Sequence, residues 1–150
     1  MFRILSRLKQ KLIRSGIVKP GKRQSFIKYI DKNSRSFHAD HININHFAGW
    51  VAGEQEGGVH TPANVQIFRG DNLVGEARAS MARVDVSSSG KGPLNCGFQF
   101  RLYWRHFEVG HNKAILLVDG KKIANILIYV SVKDLMVAQT DEIVTQMAKK

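Results

Sequence analysis

Arg83-x-Asp85 is the pair in this chain with the most evident chemical potential. Residues two apart on a strand face the same side, so the guanidinium and carboxylate either bridge each other or hold a polar ligand together. The same spacing also suits a plainer purpose, a turn-stabilising pair that keeps residues 86–96 in place. The second candidate is Tyr103-Trp104-Arg105-His106-Phe107, where flat aromatic rings beside polar groups offer a stacking surface for a sugar. Tyr103 and Trp104 fall at the end of a strand, where neighbouring loops converge. Trp50, next to Gly49 on an alternating strand, reads as a core residue instead.

The other reactive side chains exclude more than they suggest. His38-x-x-His41, with Asp40 and His46 nearby, has a spacing that an extended chain splits between opposite faces, so no metal site is expected. Cys96 is the single cysteine, which forbids an intrachain disulfide and permits a reducing compartment. No ordered nucleophile–base set accompanies it. Gly53-x-x-x-Gly57-Gly58 and Gly90-x-Gly92 lack the Lys-Ser/Thr and the helix that a phosphate cradle needs. No βαβ unit is visible for a dinucleotide. The expectation is therefore a non-enzymatic protein without a cofactor.

What positions these residues begins with the charge. Residues 1–35 carry eleven Lys or Arg against the single acid Asp31, a net +10. Residues 36–150 carry twelve basic and eleven acidic side chains, a net +1. The excess belongs to an arm, and the body behind it is near neutral. At about 100° per residue, Phe2, Ile4, Leu5, Leu8, Leu12 and Ile13 fall on one half of a helical wheel. Arg3, Arg7, Lys11 and Arg14 fall on the other, while Lys9 sits in the apolar arc where its stem can snorkel. Gly16 and Pro20-Gly21 end this predicted helix. A polar linker follows over residues 22–35. Basic side chains interrupt any signal-peptide core, and no apolar run approaches the roughly 20 residues of a membrane span.

The β-domain is expected over residues 36–130. Ile42, Ile44 and His46 alternate with Asn43 and Asn45 as one half-buried strand. Residues 53–62 and 87–93 read as loops. Strands are predicted at 64–69, 73–80, 97–103, 114–118 and 122–130, with hairpin turns at Gly70-Asp71 and Asp119-Gly120. Six or seven short strands favour an all-β antiparallel sandwich. Ser131-x-x-Asp134, ahead of Leu135, Val137, Ile143, Val144 and Met147, announces a short helix in a tail over residues 131–150.

Several of these motifs together resemble a known module. Gly49-Trp50-Val51, Gly70-Asp71-x-Leu73-Val74-Gly75, Arg83-x-Asp85-Val86 and Gly97-Phe98-x-Phe100 are similar to the small immunoglobulin-like β-sandwich appended to bacterial glycosyltransferases and surface-polysaccharide biosynthesis proteins. His111-x-x-Ala114-Ile115-Leu116-Leu117-Val118-Asp119-Gly120 fits its closing strands, and the likeness spans residues 38–130. It implies a non-catalytic partner of glycan-assembly enzymes with a glycan as candidate ligand, for which Arg83, Asp85, Tyr103 and Trp104 are the candidate residues on their own chemistry, while the basic arm points to a cytoplasmic protein peripheral to the inner membrane. The arm supplies the attachment: Phe2, Arg3, Leu5, Arg7, Leu8, Lys11, Leu12, Arg14, Lys19, Lys22 and Arg23 are the candidate contacts to an anionic membrane surface or a partner protein. The alternative is a nucleic-acid-binding protein that uses the same arm on phosphates.

Overall fold

The computed structural model describes residues 23–30, 37–57 and 59–149. The predicted N-terminal amphipathic helix therefore lies outside the described residues. Alternation decides the rest. In β10 (Gly110–Val118), Asn112, Ala114, Leu116 and Val118 are buried, while the residues between them face out. β6 (Asn64–Arg69) buries Val65 and Ile67, and β11 (Lys121–Val130) buries Ile126, Ile128 and Val130. One side of each strand is apolar, so each sheet has one face to hide.

Two antiparallel sheets hide those faces against each other. The first is five-stranded in the order β1-β11-β10-β6-β7, with β1 at Phe26–Tyr29 and β7 at Asn72–Arg78. The second is four-stranded in the order β2-β3-β9-β8, from Phe37–Asn43, His46–Val51, Asn95–Phe100 and Met81–Ala82. The core between them is one cluster, running from Phe47 and Phe98 on one sheet to Ile67, Leu116 and Ile128 on the other. Phe47 anchors the second sheet's side, its ring 5.6 Å from Phe98 and 5.3 Å from Phe100. Gly75 lets the sheets close at one edge, because a Cβ there would meet the Phe100 and Leu102 side chains.

The two hairpins read from Gly70-Asp71 and Asp119-Gly120 are present. Asp119 and Gly120 both have positive φ, 50° and 80°, which is the geometry of the tight two-residue turn. Asp119 Oδ1 also accepts from the Asn64 amide at 2.8 Å and ties this turn to β6. The C-terminal helix α2 (Val132–Ala148) starts on a complete capping box between Ser131 and Asp134, and at 17 residues it is not short.

Four expectations need correction. The strand predicted through residues 42–46 is broken: the chain turns at Ile44-Asn45, and the two halves pair as the hairpin β2–β3. Asn43 Oδ1 accepts from the Asn45 amide at 2.9 Å, so the asparagines make the turn rather than an outer face. Residues 53–62 are not a bare loop but contain a two-stranded ribbon, β4 (Glu54–Glu56) and β5 (Val59–Thr61). Arg83 and Asp85 do not share a strand, because a short helix α1 (Val84–Ser88) begins between them. The strand predicted at 97–103 stops at Phe100, since the Leu102 and Tyr103 amides turn to the carbonyls of Ile44 and Val74 instead.

The domain boundary also shifts. The stretch read as linker holds β1, which pairs with β11 in the register Phe26↔Leu127 to Tyr29↔Ala124. Tyr29 Oη donates to the Phe37 carbonyl at 3.1 Å, and Ser25 Oγ accepts from the Tyr129 amide at 2.8 Å. A chain starting at residue 23 keeps this pairing. One starting at residue 36 loses β1 and the packing of Ile27, a cost on the order of 2 kcal/mol, about one buried aliphatic side chain. Equal midpoints for the two truncations would show that β1 contributes nothing.

Candidate functional site

Arg83 and Asp85 meet, though by a route that the strand pattern did not foresee. The Arg83 backbone is extended just before α1, and its Nε and Nη2 donate to Asp85 Oδ1 and Oδ2 at 2.9 and 2.8 Å. Its third nitrogen, Nη1, donates to Asp40 Oδ2 at 2.8 Å. Asp40 stands in a bulge of β2 between Ala39 and His41, which turns its carboxylate toward Arg83. The Arg83 stem crosses β9 at Gly97, where any Cβ would meet its Cγ at 2.7 Å. Both faces of the guanidinium fork are therefore engaged, and the cluster bolts the β2 bulge to α1. Hydrogen bonding from Arg83 is the main cause that lowers the Asp85 pKa from 3.8 to about 2.

Tyr103 and Trp104 sit elsewhere, at the sandwich end where β9 leaves its sheet. Trp104 opens a 3-10 turn, Trp104–His106. Its indole Nε1 donates to Glu142 Oε2 on α2 at 2.6 Å. The Arg105 guanidinium lies 4.7 Å from the centroid of the same ring. Close by, Arg101 Nη2 donates to Asp141 Oδ2 at 2.5 Å and to Asn45 Oδ1 at 3.0 Å. Asn45 Nδ2 in turn donates to the Asp134 carbonyl at 2.9 Å. Between these groups lies an open groove of about 310 Å³, lined among others by Asn45, Arg101, Tyr103 and Trp104. Trp104 is spent on holding α2, with one face covered by Arg105. Tyr103, 47% exposed, is the aromatic that a ligand in the groove would meet. Arg83 and Asp85 do not line this groove, so the four residues do not form one site.

A third surface was not singled out from the sequence. On the outer face of the five-stranded sheet, Phe26, Leu127 and Lys113 lie in register across β1, β11 and β10, and Lys28, Asn125 and Ile115 form the next rung. These side chains line a depression of about 590 Å³. Neither Lys28 nor Lys113 has an ion-pair partner among the described residues. Exposed Arg23 precedes β1, so the arm joins the body at the edge of this face. The alternation of Lys113, Ile115 and Leu117 was a readable signal, but the apolar run around it hid which set faces outward.

The plainer readings of the remaining groups also acquire geometry. Trp50 is buried against Val86 and Cys96. Cys96 is fully buried, and burial pushes its thiol pKa up, the opposite of what a nucleophile needs. His41 and His46 stack at 4.6 Å, and no group of three or more metal-ligating side chains is present among the described residues. None of their helices is long and apolar enough to cross a membrane.

Two outcomes follow from this geometry. The depressed Asp85 value means that its stabilising contribution is complete above the unfolded value near 3.8 and is lost as pH falls through about 2. Carboxyl NMR titration should show Asp85 ionised at pH 3, and Arg83→Met should return it to the ordinary range; an ordinary value in the intact chain would refute the bridge. Trp104→Phe keeps the ring but removes the donor to Glu142, at a cost of about 1 kcal/mol. Amide exchange in α2 should accelerate roughly fivefold while the sheets stay protected; unchanged exchange would show that this contact does not hold the helix. No protein-family model, no curated protein and no solved structure matches the chain.

Proposed function

We propose that this protein is a non-catalytic accessory module that attaches peripherally to the cytoplasmic face of a bacterial inner membrane and scaffolds a glycan-assembly enzyme there. In this reading the sandwich is the immunoglobulin-like module that its motifs resemble. The enzyme partner and the glycan context come from that resemblance, and the Tyr103 groove is the place for a glycan ligand. The membrane contact rests on one observation. β1 delivers the basic arm to the edge of a sheet face that combines Phe26, Ile115 and Leu127 with Lys28 and Lys113, cations without an ion-pair partner among the described residues.

That combination suits an anionic lipid surface on two counts. Apolar side chains enter the headgroup region, and each Lys or Arg near the surface contributes about 1 kcal/mol. Arm and face then act on the same plane. Phosphates of a nucleic acid would satisfy the lysines but leave Phe26, Ile115 and Leu127 uncovered.

Co-sedimentation of the full chain with vesicles tests this. Binding should require anionic lipid and weaken as salt is raised. Lys28→Glu with Lys113→Glu should reduce the affinity by at least tenfold, and reversing Arg3, Arg7, Lys11 and Arg14 should reduce it further. Equal binding to neutral vesicles, or no effect of the sheet-face pair, would sink the proposal. A salt-sensitive gel shift with RNA or DNA, without vesicle binding, would move the arm to nucleic acid.

A further inference from the structure

Helix α2 is docked the unexpected way round. Asp134, Leu135, Ala138, Asp141 and Glu142 face the sandwich: Ala138 and Leu135 pack at the edge of the core, Asp134 accepts from Asn45 through its carbonyl, Asp141 from Arg101 and Glu142 from Trp104. The apolar side points into solvent. Met136 is 62% exposed, Ile143 58%, Val144 59% and Met147 69%. At about 100° per residue, Val132, Met136, Ile143 and Met147 fall within an arc of roughly 60°, which Val137 and Val144 widen to roughly 140°. A surface helix ordinarily buries such an arc. This one leaves it unpartnered among the described residues.

We infer that this arc is a self-association surface, on which α2 pairs antiparallel with α2 of a second copy of the chain. Two features of the helix select that occupant. Met136, Thr140, Ile143 and Met147 are spaced four, three and four apart, the alternation of a coiled-coil seam. The spacing is self-complementary when one helix is reversed: Met136 then faces the partner's Met147, and Thr140 faces the partner's Ile143.

The geometry of an antiparallel pair adds to this. The helix dipoles oppose, which favours the pair. A seam of three turns is too short to order two free peptides. Here both helices are already formed by the capping box and held by the contacts to Arg101 and Trp104, so pairing does not bear that ordering cost. The surface is independent of the sheet face assigned to the membrane, and either assignment can fail alone.

Sedimentation equilibrium of the intact chain from about 1 µM to about 1 mM, the span of weak to moderate affinities, tests the inference. The apparent mass should rise toward twice that of one chain. Ile143→Lys should remain a monomer throughout, with an unchanged circular dichroism spectrum because Ile143 is 58% exposed and outside the core cluster. The register is read by a short bis-maleimide on Met136→Cys and Met147→Cys chains. An equimolar mixture should crosslink, and either variant alone should not, because like positions would stand about 16 Å apart along the helices. A monomer at every concentration, an Ile143→Lys chain that still dimerises, or crosslinking of each variant by itself as strongly as the mixture overturns the proposal. So does a wild-type monomer whose vesicle binding is lost on Ile143→Lys, which would give the arc to lipid.

Discussion

A small β-sandwich can hide only one face of each sheet, and every notable surface of this protein follows from that constraint. The inner faces meet in a single core built around Phe47, Phe98, Ile67, Leu116 and Ile128. Nothing among the described residues covers the outer face of the five-stranded sheet. The one long helix among the described residues is placed at the end of the sandwich rather than on a sheet face, so it does not relieve that exposure. Both apolar outer surfaces are therefore direct products of the topology. Scattered exposed apolar residues are normal on proteins, but an aligned rung or a continuous helical arc is not.

The orientation of α2 shows polar chemistry deciding against apolar area. Rolled half a turn, the helix would turn Met136 and Ile143 toward the body, and each fully buried side chain of that kind contributes about 1.5–3 kcal/mol. The receiving surface, however, presents Asn45, Arg101 and the Trp104 N–H. Covering those groups with methylenes would strand their hydrogen-bonding capacity at about 1–3 kcal/mol each, more for the guanidinium. Asp141, Glu142 and the Asp134 carbonyl answer them instead. The Arg101–Asp141 pair is about half exposed on both sides, so it adds little to stability by itself. Its effect is selective: it fixes which side of the helix is left for other partners. The Arg83 cluster is a local bolt in which one guanidinium, shared by two carboxylates, sets the bulge of β2 and the start of α1.

Much of the architecture was legible because its determinants are local. Asp119-Gly120 and Gly70-Asp71 demand left-handed backbone and announce hairpins, and Ser131 with Asp134 writes a helix start in four residues. Where reading failed, the determinant was distant in the chain. β1 looks like basic linker because its short apolar patch sits among Lys22, Arg23, Lys28 and Lys32, and only the edge of β11, about a hundred residues away, makes it a strand. Ile44 continued an apparent alternation, yet the asparagine turn beside it and its burial beneath the Leu102 amide won. The pairing of Arg83 with Asp85 was foreseen, but Asp40 was not, since no spacing rule links residue 40 to residue 83. Trp104 was read as a ligand platform because its hydrogen-bond partner, Glu142, belongs to a helix whose side of approach no sequence pattern disclosed.

The two proposed surfaces also constrain each other. A single arm on an anionic membrane gives a reversible contact whose strength falls with salt, and a three-turn helical seam gives a concentration-dependent one. Joined in one molecule they are not additive but multiplicative. Binding to a surface confines the chain to a thin layer, raising the local concentration that drives pairing, and a paired module presents two arms. Once the first arm is bound the second meets lipid at a high effective concentration, which can raise the overall affinity by roughly a hundredfold or more without any new contact. That gain requires both sheet faces of a pair to reach one plane. An antiparallel, two-fold α2 seam satisfies the requirement only if its axis stands along the membrane normal, because a two-fold axis in any other direction turns one of the two faces away. The helix at the end of the sandwich and the cationic face on its side are therefore coupled by symmetry, and the orientation of α2 that its polar contacts impose is what fixes whether a dimer can use both arms at once.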